Sequence, residues 1–299
     1  MKKAILCIDA GGQSYKYTLI DGESLESCFE PVFIPLEDPD DKDYLLSVWR
    51  RIIRDGLDFA AAHGIEMAAV SASCPGPFDY VEGVSHMVHK WPGIKEVKLR
   101  DDFYANVLPK NIPVFFCHDA SALVLGEMKI GSAIGYNRVA AFIIGTGIGL
   151  SACIENKLIV TPTGSPVFSF WNRPYLDGII EDYSASRGVP KQYGLAGGDP
   201  KGLDAKKIAE LAEQGDKAAI EAYREMGRAI ARVFAPIAKE YDFDCAVFGG
   251  RISNSLELFG PAMEEEMKKL GAPCPVFVKG KGGELMAMTG CAVNAINNM

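Results

Sequence analysis

The sequence predicts a mixed α/β protein of two similarly built lobes. An apolar run, a glycine turn and a second strand-like run appear in CIDAGGQSYKYTLID (7–21) and again in VAAFIIGTGIGLSACIE (139–155). The repeat distance is about 135 residues, far beyond the roughly 20–50 of a solenoid. After each hairpin, apolar residues recur at helical spacing over long stretches. With 299 residues the chain can bury a core in each lobe.

The elements follow in order. Residues 4–9 and 15–20 read as strands around the Gly11-Gly12 turn, and 43–63 as a helix. Residues 67–73 (MAAVSAS) form a strand ending in the turn CPGPFD. Residues 112–119 (IPVFFCHD) are a buried strand closed by a carboxylate, and ASALVLGEMKIG continues as a helix. Beyond the second hairpin, 205–241 reads as two helices broken near Gly215. CAVFGGRIS (245–253) is a strand and glycine turn, LELFGPAMEEEMKKLG a helix, and GELMAMTGCAVNAINNM a final amphipathic helix. The expected lobes are 1–115 together with helix 283–299, and 116–282, hinged near residue 116. No linker or low-complexity segment separates them.

Composition excludes several classes. Hydrophobic residues make up 48% and charged residues 23%, a globular balance. No apolar run approaches the roughly 20 residues of a membrane span. The opening MKKAILCID resembles a signal peptide only briefly, since Asp9 ends the apolar run after five residues. A cytoplasmic protein is the expectation. Net charge is −8 and no basic run of five occurs, which argues against a nucleic-acid partner. The eight cysteines show no C-x-x-C, so buried free thiols are expected.

Three glycine turns follow strands: Gly11-Gly12, Gly145 to Gly149, and Gly249-Gly250. Glycine lets backbone N–H groups approach a phosphate closely. None of the turns is a G-x-G-x-x-G opening a helix, and no P-loop motif occurs. Two carboxylates, Asp9 and Asp119, end strands; a turn or helix-cap role is the plain alternative for each. Together with phosphate turns, one carboxylate ordering magnesium and one accepting a proton make phosphoryl transfer.

These residues resemble the ROK family of sugar kinases, within the actin-like ATPase superfamily. IDAGGQSYKYTLID resembles its first phosphate motif, D-x-G-G-T, with Gln13 in place of Thr. SASCPGPFDYVEG is similar to S-x-P-G-P-x-D, and CHDASALVLGE to N-D-A-N-A-A-A-L-G-E. GTGIG, DGIIEDYSASRG and FGGRIS are similar to the second phosphate motif, G-C-L-E-x-Y-A-S and the adenosine-side turn. The resemblance implies a duplicated, ribonuclease-H-like two-lobed fold, with ATP and magnesium serving transfer to a sugar hydroxyl. It implies Asp119 as base and Asp9 ordering magnesium through water. Phosphate contacts would come from Gly11, Gly12, Gln13, Gly145, Thr146 and Gly147, with Gly249 and Gly250 on the nucleotide side. Gly76, Pro77, Lys90, His118 and Glu181 would face the sugar. A homodimer is the family analogy. The alternative is a non-catalytic sugar-binding regulator; the repressors' helix-turn-helix module has no counterpart before the first strand.

The departures are specific. The family's zinc-binding cysteine positions fall on Asn172, Pro174 and Ile179, and no histidine follows His118. No structural zinc is expected, and the sugar-contacting Glu and His of that loop are missing. Phe168, Phe170, Trp171 and Tyr175 are the expected packing substitutes. Lys90 and His118 stand where the family carries asparagines. A lysine donates only and carries charge, so an acidic or phosphorylated acceptor is the corresponding expectation, unless Lys90 points to solvent, as most lysines do, or pairs with Glu181.

Overall fold

The computed structural model describes residues 2–283 and 285–299. Ten strands build two five-stranded sheets: β1 (Lys3–Ala10), β2 (Ser14–Asp21), β3 (Val32–Pro35), β4 (Glu66–Cys74), β5 (Val114–His118), β6 (Arg138–Ile144), β7 (Ile148–Ile154), β8 (Lys157–Leu158), β9 (Cys245–Gly249) and β10 (Val276–Lys279). The helices are α1 (Lys42–Ala62), α2 (Leu99–Asn106), α3 (Asp119–Ile130), α4 (Glu181–Ser184), α5 (Gly188–Leu195), α6 (Ala205–Glu213), α7 (Lys217–Tyr241), α8 (Leu256–Lys269) and α9 (Met286–Asn298). Residue 284, inside the stretch read as the final helix, lies outside the described residues.

The chain forms two compact units. One comprises Met1–Gly126, Val160–Val167 and Gly283–Met299; the other comprises Glu127–Ile159 and Phe168–Gly282. The chain therefore leaves the first unit within α3, further along than residue 116, and Val160–Val167 returns to it. That return has no sequence signature.

Each unit is built on a five-stranded sheet, in the orders β3-β2-β1-β4-β5 and β8-β7-β6-β9-β10. In the first, β2 is antiparallel to β1 and to β3, while β4 is parallel to β1 and β5 parallel to β4. The second repeats this pattern with β7, β6, β8, β9 and β10. The two lobes thus share one topology, as the repeated hairpins predict.

In the first unit the alternation of β1 sends Leu6 and Ile8 to one face and Ile5 and Cys7 to the other. The first face receives α1, whose Asp41 caps it by accepting the Tyr44 N–H at 2.6 Å. Its Trp49 is fully buried among Tyr15, Trp91 and Phe103. The second face receives Met288, Cys291, Ala292 and Ala295 of α9. In the second unit α7 starts at Asp216, which accepts the Ala219 N–H at 2.8 Å, and buries Phe234 against Phe142. The helix break falls where expected, with Gly215 at φ 90°. Six cysteines are buried free thiols, whereas Cys28 is half-buried and Cys274 exposed.

The loop lacking the family's cysteines is held by side-chain packing. Pro174–Tyr175 pairs with Gly178–Ile179 as a short ribbon. Tyr175 packs edge-on against Tyr183 and accepts the Arg232 Nη1–H at 2.9 Å. Phe170 is fully buried against Phe142, and Phe168 meets Tyr241. Trp171 corrects the expectation: it is 50% exposed.

Candidate functional site

In the first unit, three parallel strands end side by side. Their register sets Asp9 opposite Ser73, Ser73 opposite Cys117, and Cys74 opposite His118. Asp9 and the His118-Asp119 pair therefore emerge at carboxyl ends on either side of β4, the edge where parallel α/β sheets bind ligands.

Asp9 accepts the Ser73 hydroxyl at 2.9 Å. Burial pushes its carboxyl above the ordinary value; the Ser73 bond opposes this, the charge of Asp119 adds to it, and Lys16 opposes. Asp119 opens α3. Its Oδ1 lies 2.8 Å from His118 Nδ1 and accepts the Ala120 N–H at 2.7 Å. Burial pushes this carboxyl up. The His118 charge and hydrogen bond, Lys90 and the Ala120 N–H outweigh it and hold it at about 2. The Ala120 N–H also lies 3.1 Å from His118 Nδ1.

The first glycine turn closes on itself: the Gly11 N–H donates to Ser14 O at 2.9 Å. Trp91 Nε1–H donates to Gly11 O at 3.2 Å, and the Lys90 stem crosses Gly12, 3.2 Å from where a Cβ would stand. Gln13 anchors the following chain, its carbonyl accepting the Leu36 N–H. The Gly76-Pro77 turn lies beside the His118 ring, 3.7 Å from a Cβ placed on Gly76. Tyr80 meets that ring edge-on at 6.0 Å. Pro77 itself is exposed, its carbonyl taken by the His86 N–H. The structure therefore gathers Gly12, Gly76, Lys90, His118 and Asp119 within one unit, with Asp9 two strands away.

In the second unit the turn after β6 carries an exposed Thr146, and the Gly145 N–H donates to Gly147 O at 2.9 Å. Gly250, at φ 86°, packs on the Ile144 carbonyl oxygen, and Gly249 pairs opposite Ile143. The two glycine turns of this unit are thus neighbours. Glu181 explains Gly147: its Oε2 lies 2.5 Å from where a Cβ would stand and accepts the Ile148 N–H at 3.2 Å. Its Oε1 is paired with Arg187 at 3.0 Å, and Arg187 also meets Asp182 at 2.9 Å. Ser186 N–H donates to Gly145 O, tying this segment to the turn.

Ser73, Trp91 and Arg187 escaped the sequence reading. Ser73 was recoverable from strand register with Asp9. Arg187 was not, because a single arginine beside a motif is normally solvated.

Among the described residues no three His, Cys, Asp or Glu side chains cluster as a metal cage. Magnesium does not require one, since it keeps several waters and takes one or two carboxylates with substrate phosphates. Asp9 fits that role: one oxygen is fixed by Ser73, and its charge is poorly compensated in its buried place.

The ROK family model matches residues 5–166 and 176–292. The chain belongs to the ROK family. A glucokinase of Thermotoga maritima is 28% identical over 290 residues, covering 88% of this ROK chain and 87% of the relative. A ROK glucokinase from Streptomyces griseus, solved with glucose and AMPPNP, superposes with a TM-score of 0.71 at 20% identity, over 97% of this chain and 98% of that one. A ROK transcriptional regulator homologous to Escherichia coli Mlc superposes with a TM-score of 0.84 at 17% identity, over 99% and 78%. At these identities the solved structures speak for the fold, which is the actin-like ATPase fold of two duplicated lobes.

Proposed function

We propose that this ROK protein is an ATP-dependent kinase of a sugar or sugar derivative. One observation carries the reading: Asp9 and Asp119 stand at parallel strand ends on either side of β4, Asp9 just before the Gly11-Gly12 turn, and Asp119 is held ionised. Asp119 takes the acceptor hydroxyl's proton. In phosphoryl transfer that proton leaves late, so a weak base that is always ionised is adequate. Oδ1 is occupied by His118 and Ala120, which leaves Oδ2 to face the hydroxyl. Backbone at Gly11, Gly12, Gly145, Thr146 and Gly147 cradles phosphates, and Gly249 and Gly250 serve the nucleotide side. Magnesium, when bound, neutralises phosphate charge; Asp9 holds it through water. Gly76, Pro77, Lys90, His118 and Glu181 serve the acceptor side. A cytoplasmic homodimer completes the proposal by analogy with the family.

A second reading, a sugar-binding regulator without turnover, is motivated by the replacement of two family asparagines by Lys90 and His118. A panel of neutral, N-acetylated, carboxylated and phosphorylated sugars with magnesium and ATP, followed by ADP release, separates the two. Sugar-dependent ADP release is the expected result. Sugar binding by calorimetry without any ADP release would replace the kinase by the sensor.

A further inference from the structure

Lys90 is fixed on the phosphate turn by its neighbour. Trp91 is fully buried, stacked edge-on against Tyr15 and Trp49, and its indole N–H holds the Gly11 carbonyl. Fully burying an aromatic side chain of this size is worth roughly 1.5–3 kcal/mol, so this backbone is not free to swing away. From that anchor the Lys90 stem crosses Gly12, its Cβ, Cγ and Cδ at 3.2–3.5 Å from where a Cβ would stand. A side chain at position 12 would require the stem to give by a few tenths of an ångström. The ammonium forms no ion pair among the described residues, yet its charge reaches Asp119. Glu181, the carboxylate that the sequence offered as its partner, is engaged by Arg187 and the Ile148 N–H.

A lysine with its stem on the donor's phosphate turn and its charge felt by the base stands along the path from donor to acceptor. Resting on the kinase reading above, we infer that Lys90 is a catalytic residue that meets the transferring terminal phosphoryl group of ATP. Negative charge spreads over the equatorial oxygens of that group as it leaves the nucleotide. An ammonium reaching this charge stabilises it, and Trp91 fixes the backbone from which the exposed Lys90 side chain extends. The same cation offsets the repulsion between phosphoryl oxygens and the ionised Asp119. Lysine, rather than arginine, suits a point charge that follows a moving group. The asparagine expected at this position offers hydrogen bonds but no charge.

Lys90→Met keeps a long stem over Gly12 and removes the charge; Lys90→Arg keeps the charge. Binding of ADP and of AMPPNP, each with magnesium, is measured by calorimetry on the full chain, alongside steady-state kinetics on whichever panel sugar is turned over. The expected result for Lys90→Met is unchanged ADP affinity, AMPPNP binding about tenfold weaker, kcat lowered roughly 10²-fold, and an unchanged acceptor KM. Lys90→Arg recovers most of the AMPPNP affinity. Unchanged AMPPNP affinity with a raised KM for carboxylated or phosphorylated sugars overturns the inference and assigns Lys90 to acceptor recognition. No change in any of these quantities overturns it in favour of a solvated lysine. An unmodified protein that binds AMPPNP but phosphorylates no sugar refutes the kinase reading alone, and the AMPPNP-to-ADP ratio of the variant still decides Lys90. Failure of the unmodified protein to bind either nucleotide refutes both.

Discussion

Replacing Asp119 by Asn should separate catalysis from folding. The carboxyl moves from an ordinary 3.8 to about 2. At about 1.4 kcal/mol per unit, that is roughly 2 kcal/mol before solvent screening. The side chain is 41% exposed, and screening reduces the contribution to about 1 kcal/mol. The substitution also removes the negative charge that bears on Asp9, which offsets part of the loss. The net stability change is therefore expected below about 1 kcal/mol, under roughly 4 °C in Tm. Loss of the proton acceptor should lower kcat by roughly 10²- to 10⁴-fold, about 3–5 kcal/mol. ADP-release kinetics, AMPPNP binding and thermal melts on one preparation test this. Turnover within a few-fold of the unmodified protein would reduce Asp119 to a helix-terminal residue. A large fall in Tm that accounts for the lost activity would make it structural. The pH dependence follows from the sign of the shift. A depressed carboxylate contributes stability above its unfolded value near 3.8, and this is lost as pH falls through about 2. An acid limb in rate above pH 4 must therefore come from another group.

Asp9 carries the opposite sign: its raised value means that its ionised form weakens the fold at neutral pH. Asp9→Asn should abolish turnover yet raise Tm at pH 7, and the gain should vanish as the pH falls and the native Asp9 is protonated; an unchanged or lower Tm at pH 7 would contradict this. Gly250→Ala should lower stability by more than about 3 kcal/mol, since φ 86° and ψ 171° suit glycine alone and the Cβ lands on the Ile144 carbonyl. Gly135→Ala, at φ 90° with open space around it, isolates the backbone share and should cost less in urea unfolding; equal costs would refute the packing argument. Elemental analysis should find no stoichiometric zinc, and chelators should leave Tm unchanged; one zinc per chain would show that the loop at 168–183 has been matched to the wrong residues.

The elements legible in the sequence are those with strong local signals. The hairpins at Gly11 and Gly145 combine apolar strands with glycine turns, and the long helices carry unbroken apolar faces. Short edge strands such as β3 and β10 were not legible, because their burial is partial and their pairing depends on strands far away in the chain. The short α4 and α5 are likewise set by packing. Within the site, carboxylates at strand ends could be read, because a charge closing an apolar run is conspicuous. Their partners could not. Whether Asp119 meets His118 depends on side-chain direction, and whether Glu181 meets Arg187 depends on how α4 turns into α5.

The two units share a topology but not a charge pattern, and the difference defines what each does. The first places two carboxylates at its strand ends and keeps one of them, Asp9, buried at a cost to stability. The second places glycine turns after β6 and β9 and pairs its nearest carboxylate, Glu181, with an arginine. A duplicated lobe offers the same ligand-binding edge twice, yet phosphoryl transfer needs acid-base chemistry on only one side of the phosphate chain. On the kinase reading proposed above, an ionised carboxylate beside a phosphate-binding turn repels the anion. Arg187 offsets the Glu181 charge beside Gly147. In the first unit, if Lys90 meets the phosphoryl group as inferred, its ammonium beside the Gly12 turn offsets the carboxylates, and a neutral asparagine at position 90 would supply no such charge.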